Sequence, residues 1–213
     1  MIVAVDYFTK WVEVEAVARI STEKVRRFYW KNIICRFGLP GVIISDNGAQ
    51  FASTSVVNFC RDYGIRNQFT SVEHPQANGQ AEAVNKIILV GIKKKLEEAK
   101  GMWAEYLPEI LWSYHTTPHS TTQETPFRMV YGADAMIPVE INTPTWRREH
   151  FDKSANTDNL NISADQLDEV RESARIREAA AKQRLAKKVQ PESQAKRISR
   201  GRPGTKESHR PKE

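Results

Sequence analysis

The 213-residue chain has only two cysteines, Cys35 and Cys60, and no Cys-x-x-Cys pair. That excludes a disulfide-stapled scaffold and a cysteine zinc site, and it fits a reducing compartment. Long hydrophobic runs are missing as well. The longest, such as Ile2–Val5 and Ile87–Val90, are far too short to span a bilayer, so no membrane association is expected. No basic-then-apolar segment opens the sequence, so no secretory leader is expected either. An intracellular location, nuclear or cytoplasmic, is the expectation. The stretch Gln190–Glu213 has no Leu, Val, Met, Phe, Tyr or Trp. It cannot bury enough surface to offset chain entropy and is predicted to be a disordered basic tail.

What is present is ordinary for a globular domain: 40% hydrophobic and 27% charged residues. The net charge of +6 is unevenly placed. Residues 1–162 carry 18 basic and 18 acidic side chains, so the whole excess lies in the last quarter of the chain. A basic end on a neutral body points to a polyanion partner, with nucleic acid first in line, or to a solvated helix and tail that keep the protein soluble.

Hydrophobic periodicity predicts alternating strands and helices, an α/β layered fold with helices flanking a sheet. Ile2–Val5 and the alternating Trp11–Ala18 read as an antiparallel hairpin with one charged face. Ser21 or Thr22 starts a helix packing through Val25, Phe28, Tyr29, Ile33 and Phe37, and Gly38 stops it. Val42–Ser45 reads as a strand, 54–63 as a helix and Ile65–Thr70 as a strand. A polar loop, 71–79, leads to a long helix in which Ala83, Ile87, Val90 and Leu96 pack while Lys93, Lys94 and Lys95 face out. Two more helices are predicted over 103–115 and 126–131. The stretch 142–162 reads as a linker. Residues 163–189 read as a charged, solvent-exposed helix, capped by Ser163 and Gln166 and separable from the core.

Two carboxylates are placed for chemistry. Asp46 directly follows an apolar strand and opens Asp46-Asn47-Gly48, and active sites in α/β sheets lie at carboxyl ends of strands. Glu82 starts the long helix, with Asn85 and Lys86 one turn on. Two hard oxygen donors brought together can hold Mg²⁺, and a pair of such ions supports phosphoryl transfer. Taken singly, Asp-Asn-Gly is also plain turn chemistry, and a glutamate near a helix N-terminus is favourable without any function. His115 and His119 have an i, i+4 spacing, but Pro118 and the lack of cysteine partners make them poor zinc ligands.

Several stretches together resemble the integrase core of gypsy-type LTR retrotransposons, within the retroviral integrase superfamily. They are Val3-Ala-Val-Asp-Tyr-Phe-Thr-Lys-Trp11, Phe37-Gly-Leu-Pro40, Ile43-Ile-Ser-Asp-Asn-Gly-Ala-Gln-Phe51, His74 through Lys86, and Thr125-Pro-Phe-Arg-Met-Val-Tyr-Gly132. The 35 residues between Asp46 and Glu82 match the family's spacing of its last two catalytic acids. The resemblance covers about residues 2–141, the expected catalytic core. It implies an RNase H-like mixed sheet, an Asp-Asp-Glu site with Mg²⁺ or Mn²⁺ on Asp46 and Glu82, and DNA contacts from Asn85 and Lys86. It also implies strand transfer between element ends and target DNA, and it is compatible with a homo-oligomer. In the family the first acid lies on a central strand that precedes Val-Ala-Val-Asp, and this sequence starts beyond it. Asp6 therefore reads as a turn residue, and the sheet as lacking its first strand. Neither the family's upstream zinc module nor its downstream DNA-binding barrel is found. The expectations for this chain are marginal stability and undetectable strand transfer, with a catalytically inactive nucleic-acid-binding remnant as the alternative function.

Overall fold

The computed structural model describes residues 1–69, 83, 86, 87, 90, 103–136 and 145–200. β1 (Ile2–Val5) and β2 (Val12–Glu15) form the predicted antiparallel hairpin, with Val3 opposite Val14 and Val5 opposite Val12. Asp6 closes its turn as expected: its Oδ2 accepts from the Thr9 backbone N–H at 2.8 Å and the Thr9 hydroxyl at 2.6 Å. A helical stretch follows as α1 (Thr22–Phe28), a π turn (Tyr29–Ile34) and α2 (Cys35–Phe37). The Ser21 hydroxyl caps its start, and Gly38, at φ 86°, ends it in a conformation that favours glycine. β3 (Val42–Ser45), α3 (Thr54–Asp62) and β4 (Arg66–Phe69) make a βαβ unit whose strands pair in parallel, Ile43 beside Asn67.

The hairpin is covered on both faces. Ile2 and Ala4 join Val25, Phe28, Tyr29, Val56, Phe59 and Cys60 in the main core, which also takes Ile43 and Ile65. Val3, Val5, Val12 and Val14 turn the other way, onto α4 (Trp103–His115). The charged face of β2 is consequently drawn away from solvent, with Glu13 buried and Glu15 half-buried. Glu13, 7% exposed, accepts from the Trp11 indole at 2.8 Å and from Arg36 at 2.7 Å. Among the described residues β1 and β3 do not pair, and the four strands stand as two separate two-stranded sheets held by the shared helical layer.

Two packing expectations change. Phe37 is 45% exposed, because the π turn inserts extra backbone and moves later residues off the buried stripe. Ala83, Ile87 and Val90 are helical but exposed, the last two at 51% and 66%, so no described segment covers that apolar stripe.

α5 (Pro126–Tyr131) has the predicted form, with the Thr125 hydroxyl as cap and Gly132 in the left-handed region past its end. It delivers Phe127 and Tyr131 to Trp11, whose indole stacks on His115 with centroids 3.7 Å apart and planes 3° from parallel. His115 Nε2 lies 3.1 Å from the Val12 carbonyl oxygen and 3.2 Å from its N–H. Of the stretch 142–162, read as a linker, the described residues 145–162 are largely helical. α6 (Trp146–Glu149) is followed by α7 (Lys153–Asp165), whose first turn Asp152 caps by accepting from Ala155 N–H at 2.7 Å. Ser163 lies within α7 rather than capping the last helix. α8 (Leu167–Arg200) begins later and runs past Val189 into the expected disordered tail. Its Ala, Lys, Arg, Gln and Glu are strong helix formers, which accounts for the extension. Residues 201–213 lie outside the described residues. α8 is also not separable: Ala174 is fully buried, and Arg171 donates to the Met129 carbonyl at 3.0 Å.

Two outcomes follow from this packing. Phe28→Ala removes a fully buried ring and should lower the unfolding free energy by about 3–5 kcal/mol in urea titration. Trp30→Ala, at a 45% exposed position, should cost much less. Burial against Trp11 pushes the His115 pKa from 6.5 down to about 4, opposed by the hydrogen bond to Val12 and aided by Arg36. Below pH 6.5 the unfolded chain binds a proton that the native imidazole refuses until about pH 4, so stability should fall across that window as pH drops. The loss is about 3 kcal/mol at most. Melting temperatures between pH 7 and pH 4 check this, and His115→Gln should flatten the dependence.

Candidate active site

The acid at the end of β3 sits where an apolar strand runs out into a polar turn. Asp46 is exposed, and its Oδ1 accepts the Gly48 backbone N–H at 3.0 Å. The Gly48 carbonyl in turn accepts from Phe51 and Ala52 N–H at 2.8 and 2.9 Å, folding the chain back toward Ser53, the cap of α3. The absence of a side chain at Gly48 leaves room for two side-chain ends. A Cβ on Gly48 would lie 2.9 Å from Asp46 Oδ1 and 2.7 Å from Gln50 Nε2. The turn reading and the site reading of Asp46 therefore describe one geometry, in which a turn fixes one carboxylate oxygen at an exposed strand end.

Beneath it lies Tyr29, only 4% exposed. Its pKa is pushed well above the ordinary phenol range, first by burial, then by the Cys60 thiol and the negative charge of Asp46. Tyr29 thus keeps its proton beside the acid. The sequence reading treated it only as packing; the available signal was that a buried tyrosine needs a polar outlet for its hydroxyl.

The other predicted site residues are placed unevenly. Lys86 is helical and exposed. Glu82, Asn85 and the loop with Gln76 and Asn78 lie outside the described residues. His115 is spent on Trp11 and Val12, and His119 Nδ1 lies 3.0 Å from the Thr121 hydroxyl. Among the described residues no group of three or more His, Cys, Asp or Glu side chains could hold a metal ion. Asp46 by itself has the right donor chemistry, a solvent-facing carboxylate of the kind Mg²⁺ and Mn²⁺ prefer. Among the described residues no helix is long and apolar enough to cross a membrane.

A strand-end acid in a βαβ unit, with helices on both faces of the hairpin, defines an α/β domain of the RNase H-like kind. The same fold is found in the simian T-cell lymphotropic virus intasome, solved by cryoEM with the PP2A regulatory subunit B56 gamma. That chain matches at TM-score 0.55 and 22% identity, over 67% of this chain and 51% of its own. Residues 1–75 match the family model described as the integrase core domain. The chain is 30% identical over 162 residues to the Gag-Pol polyprotein of avian reticuloendotheliosis virus, and 29% identical over 143 residues to the transposon Tf2-3 polyprotein of Schizosaccharomyces pombe. These matches take in 76% and 66% of this chain but only 13% and 11% of the polyproteins. The chain is thus similar to integrase core domains over residues 1–75 and to these Gag-Pol and transposon polyproteins over a longer stretch.

Gly48→Ala should displace Asp46 and Gln50 and shift the carboxylate ¹³C resonance of Asp46. Gly41→Ala, whose Cβ would meet nothing within 4 Å, should leave that resonance in place.

Proposed function

We propose that this chain is the catalytic core of a gypsy-type retrotransposon integrase, serving DNA integration by metal-dependent strand transfer. In that reaction a DNA 3′-hydroxyl attacks a target phosphodiester. One observation carries the reading: Asp46 stands exposed at the carboxyl end of a parallel strand, inside the stretch that matches the integrase core domain. Asp46 and Glu82 are the residues that would hold Mg²⁺ or Mn²⁺. Such ions supply charge neutralisation at the attacking and leaving oxygens. The turn through Gly48 orients the Asp46 carboxylate. Lys86 neutralises a phosphate, and Asn85 hydrogen-bonds a base or sugar. The basic C-terminal quarter adds sequence-independent attraction for DNA, both element ends and target. The work belongs in the nucleus or cytoplasm, and the chain is suited to a homo-oligomer.

A second reading has its own support. Asp6 is another acid at a strand end, and its Oδ2 is tied to Thr9 by two short hydrogen bonds, which suits a turn rather than a metal ligand. On that reading the chain binds nucleic acid without transferring strands.

A strand-transfer assay with an element-end oligonucleotide and Mg²⁺ or Mn²⁺ separates the two. Under the first reading, Asp46→Asn and Glu82→Gln should each cost at least about a hundred-fold in rate, the scale on which loss of a preorganised charged group acts. Under the second, the parent chain shows no transfer but still binds duplex DNA. Under both, Lys86→Ala should reduce the slope of log affinity against log salt by about one. A chain with neither transfer nor salt-sensitive DNA binding would sink both readings.

A further inference from the structure

The hairpin turn contains a residue that its backbone does not favour. Lys10 has φ 63°, in the left-handed region where glycine or asparagine is the usual choice at the end of such a loop. It is also 3% exposed, a rare place for a lysine. Two partners compensate. Its ammonium donates to the Tyr7 carbonyl across the turn, and it pairs with Glu178 Oε1 at 2.7 Å. Glu178 lies 168 residues away, on α8, and is itself 7% exposed.

Independent contacts place α8 on the same surface. Lys182, one turn beyond Glu178, reaches Glu178 at 3.3 Å and the Tyr7 hydroxyl at 3.1 Å. Arg175 lies over the Phe8 ring, 5.1 Å from its centroid. On the other side, Arg177 donates to the Thr122 carbonyl at 3.2 Å and to Glu124 at 3.0 Å. At the root of the helix a Cβ on Gly132 would come within 3.1 Å of the Ser163 carbonyl oxygen and 3.6 Å of Leu167 Cβ, so the α5 terminus and the α7–α8 junction meet at backbone distance.

We infer that Lys10 and Glu178 close a clasp by which the first half of α8 locks the hairpin turn and the 122–132 segment. α8 is then a built part of the domain, and its basic second half leaves the core from a fixed root. This goes beyond the integrase reading and does not depend on it. Glu178 is the partner of Lys10 that ties the strained turn to a distant element, whereas a solvated helix would leave the turn free to carry glycine.

The test turns on opposite signs. Relief of left-handed strain alone would make Lys10→Gly more stable. A clasp makes the same change less stable and opens α8. Amide hydrogen exchange over residues 167–182 should accelerate at least about ten-fold in both Lys10→Gly and Glu178→Gln, with a lowered melting temperature. The double variant should be little worse than the more severe single one, since both break the same contact. Exchange unchanged in 167–182, with Lys10→Gly melting at or above the parent, overturns the clasp. If Lys10→Gly does not fold, Glu178→Gln decides alone: a ten-fold acceleration supports the clasp and unchanged exchange overturns it. No nucleic acid enters these measurements, so their failure is distinct from failure of the DNA-integration reading.

Discussion

The hairpin, the end of the α1–α2 stretch, α4 and α5 converge on the indole of Trp11. A two-stranded hairpin is marginal in water by itself and needs cover on its faces. Trp11 recruits that cover from three directions at once. His115 stacks on it from α4, Phe127 and Tyr131 meet it from α5, and Phe37 lies edge-on at 6.3 Å from the end of the α1–α2 stretch. Its N–H fixes Glu13, which in turn holds Arg36. Both Glu13 oxygens and His115 Nε2 find partners within it, which is what allows a glutamate and a histidine to sit in a core. The cost is a histidine that must stay neutral.

The candidate site depends on that arrangement at one remove. β3 is not bonded to the hairpin; both rest on the layer of α1, the π turn and α3. The position of Asp46 is set by its own turn through Gly48 and by the α3 cap beyond, and not by a continuous sheet. A rigid strand end with an exposed carboxylate is the type of support a metal-dependent site needs, since donors must be held before the ion arrives. Among the described residues the split into two small sheets also leaves strand edges without a neighbouring strand, within a domain whose total margin is modest.

The C-terminal helix adds a second kind of tie, made by charge. Glu178 illustrates the balance. Burial alone would raise its pKa, yet the hydrogen bonds and charges of Lys10 and Lys182 together hold it below the ordinary carboxylate value. An ion pair so enclosed contributes mainly by making separation costly: removing either partner leaves the other charge buried and unmatched. The aromatic centre at Trp11 and the charged clasp at Lys10 act on neighbouring residues of the same six-residue turn region, from Asp6 to Trp11, so the hairpin is held at its tip as well as on its faces.

Much of this was legible in the residues. Ser21, Ser53 and Thr125 mark helix starts because a side-chain oxygen accepts from a free N–H within three residues, a local rule. The hairpin pairing, the strand ending at Asp46, the extents of α4 and α5 and the turn role of Asp6 follow from period and turn chemistry in the same way. The similarity to integrase cores was legible from short motifs at Trp11, Asp46 and Thr125–Gly132. Other features depend on residues distant in sequence. That Glu13 faces a helix instead of water requires Arg36 and a layer on that side of the hairpin. The phase of Phe37 depends on a π turn with no signature of its own, and the neutrality of His115 depends on Trp11, 104 positions earlier. The helicity of 145–165 and the docking of α8 were missed because composition reports solvation, whereas the buried partner of Glu178 is a single lysine in a distant turn. Local backbone preference and periodicity are written residue by residue; burial, and with it the state of every buried charge, exists only once the chain has closed on itself.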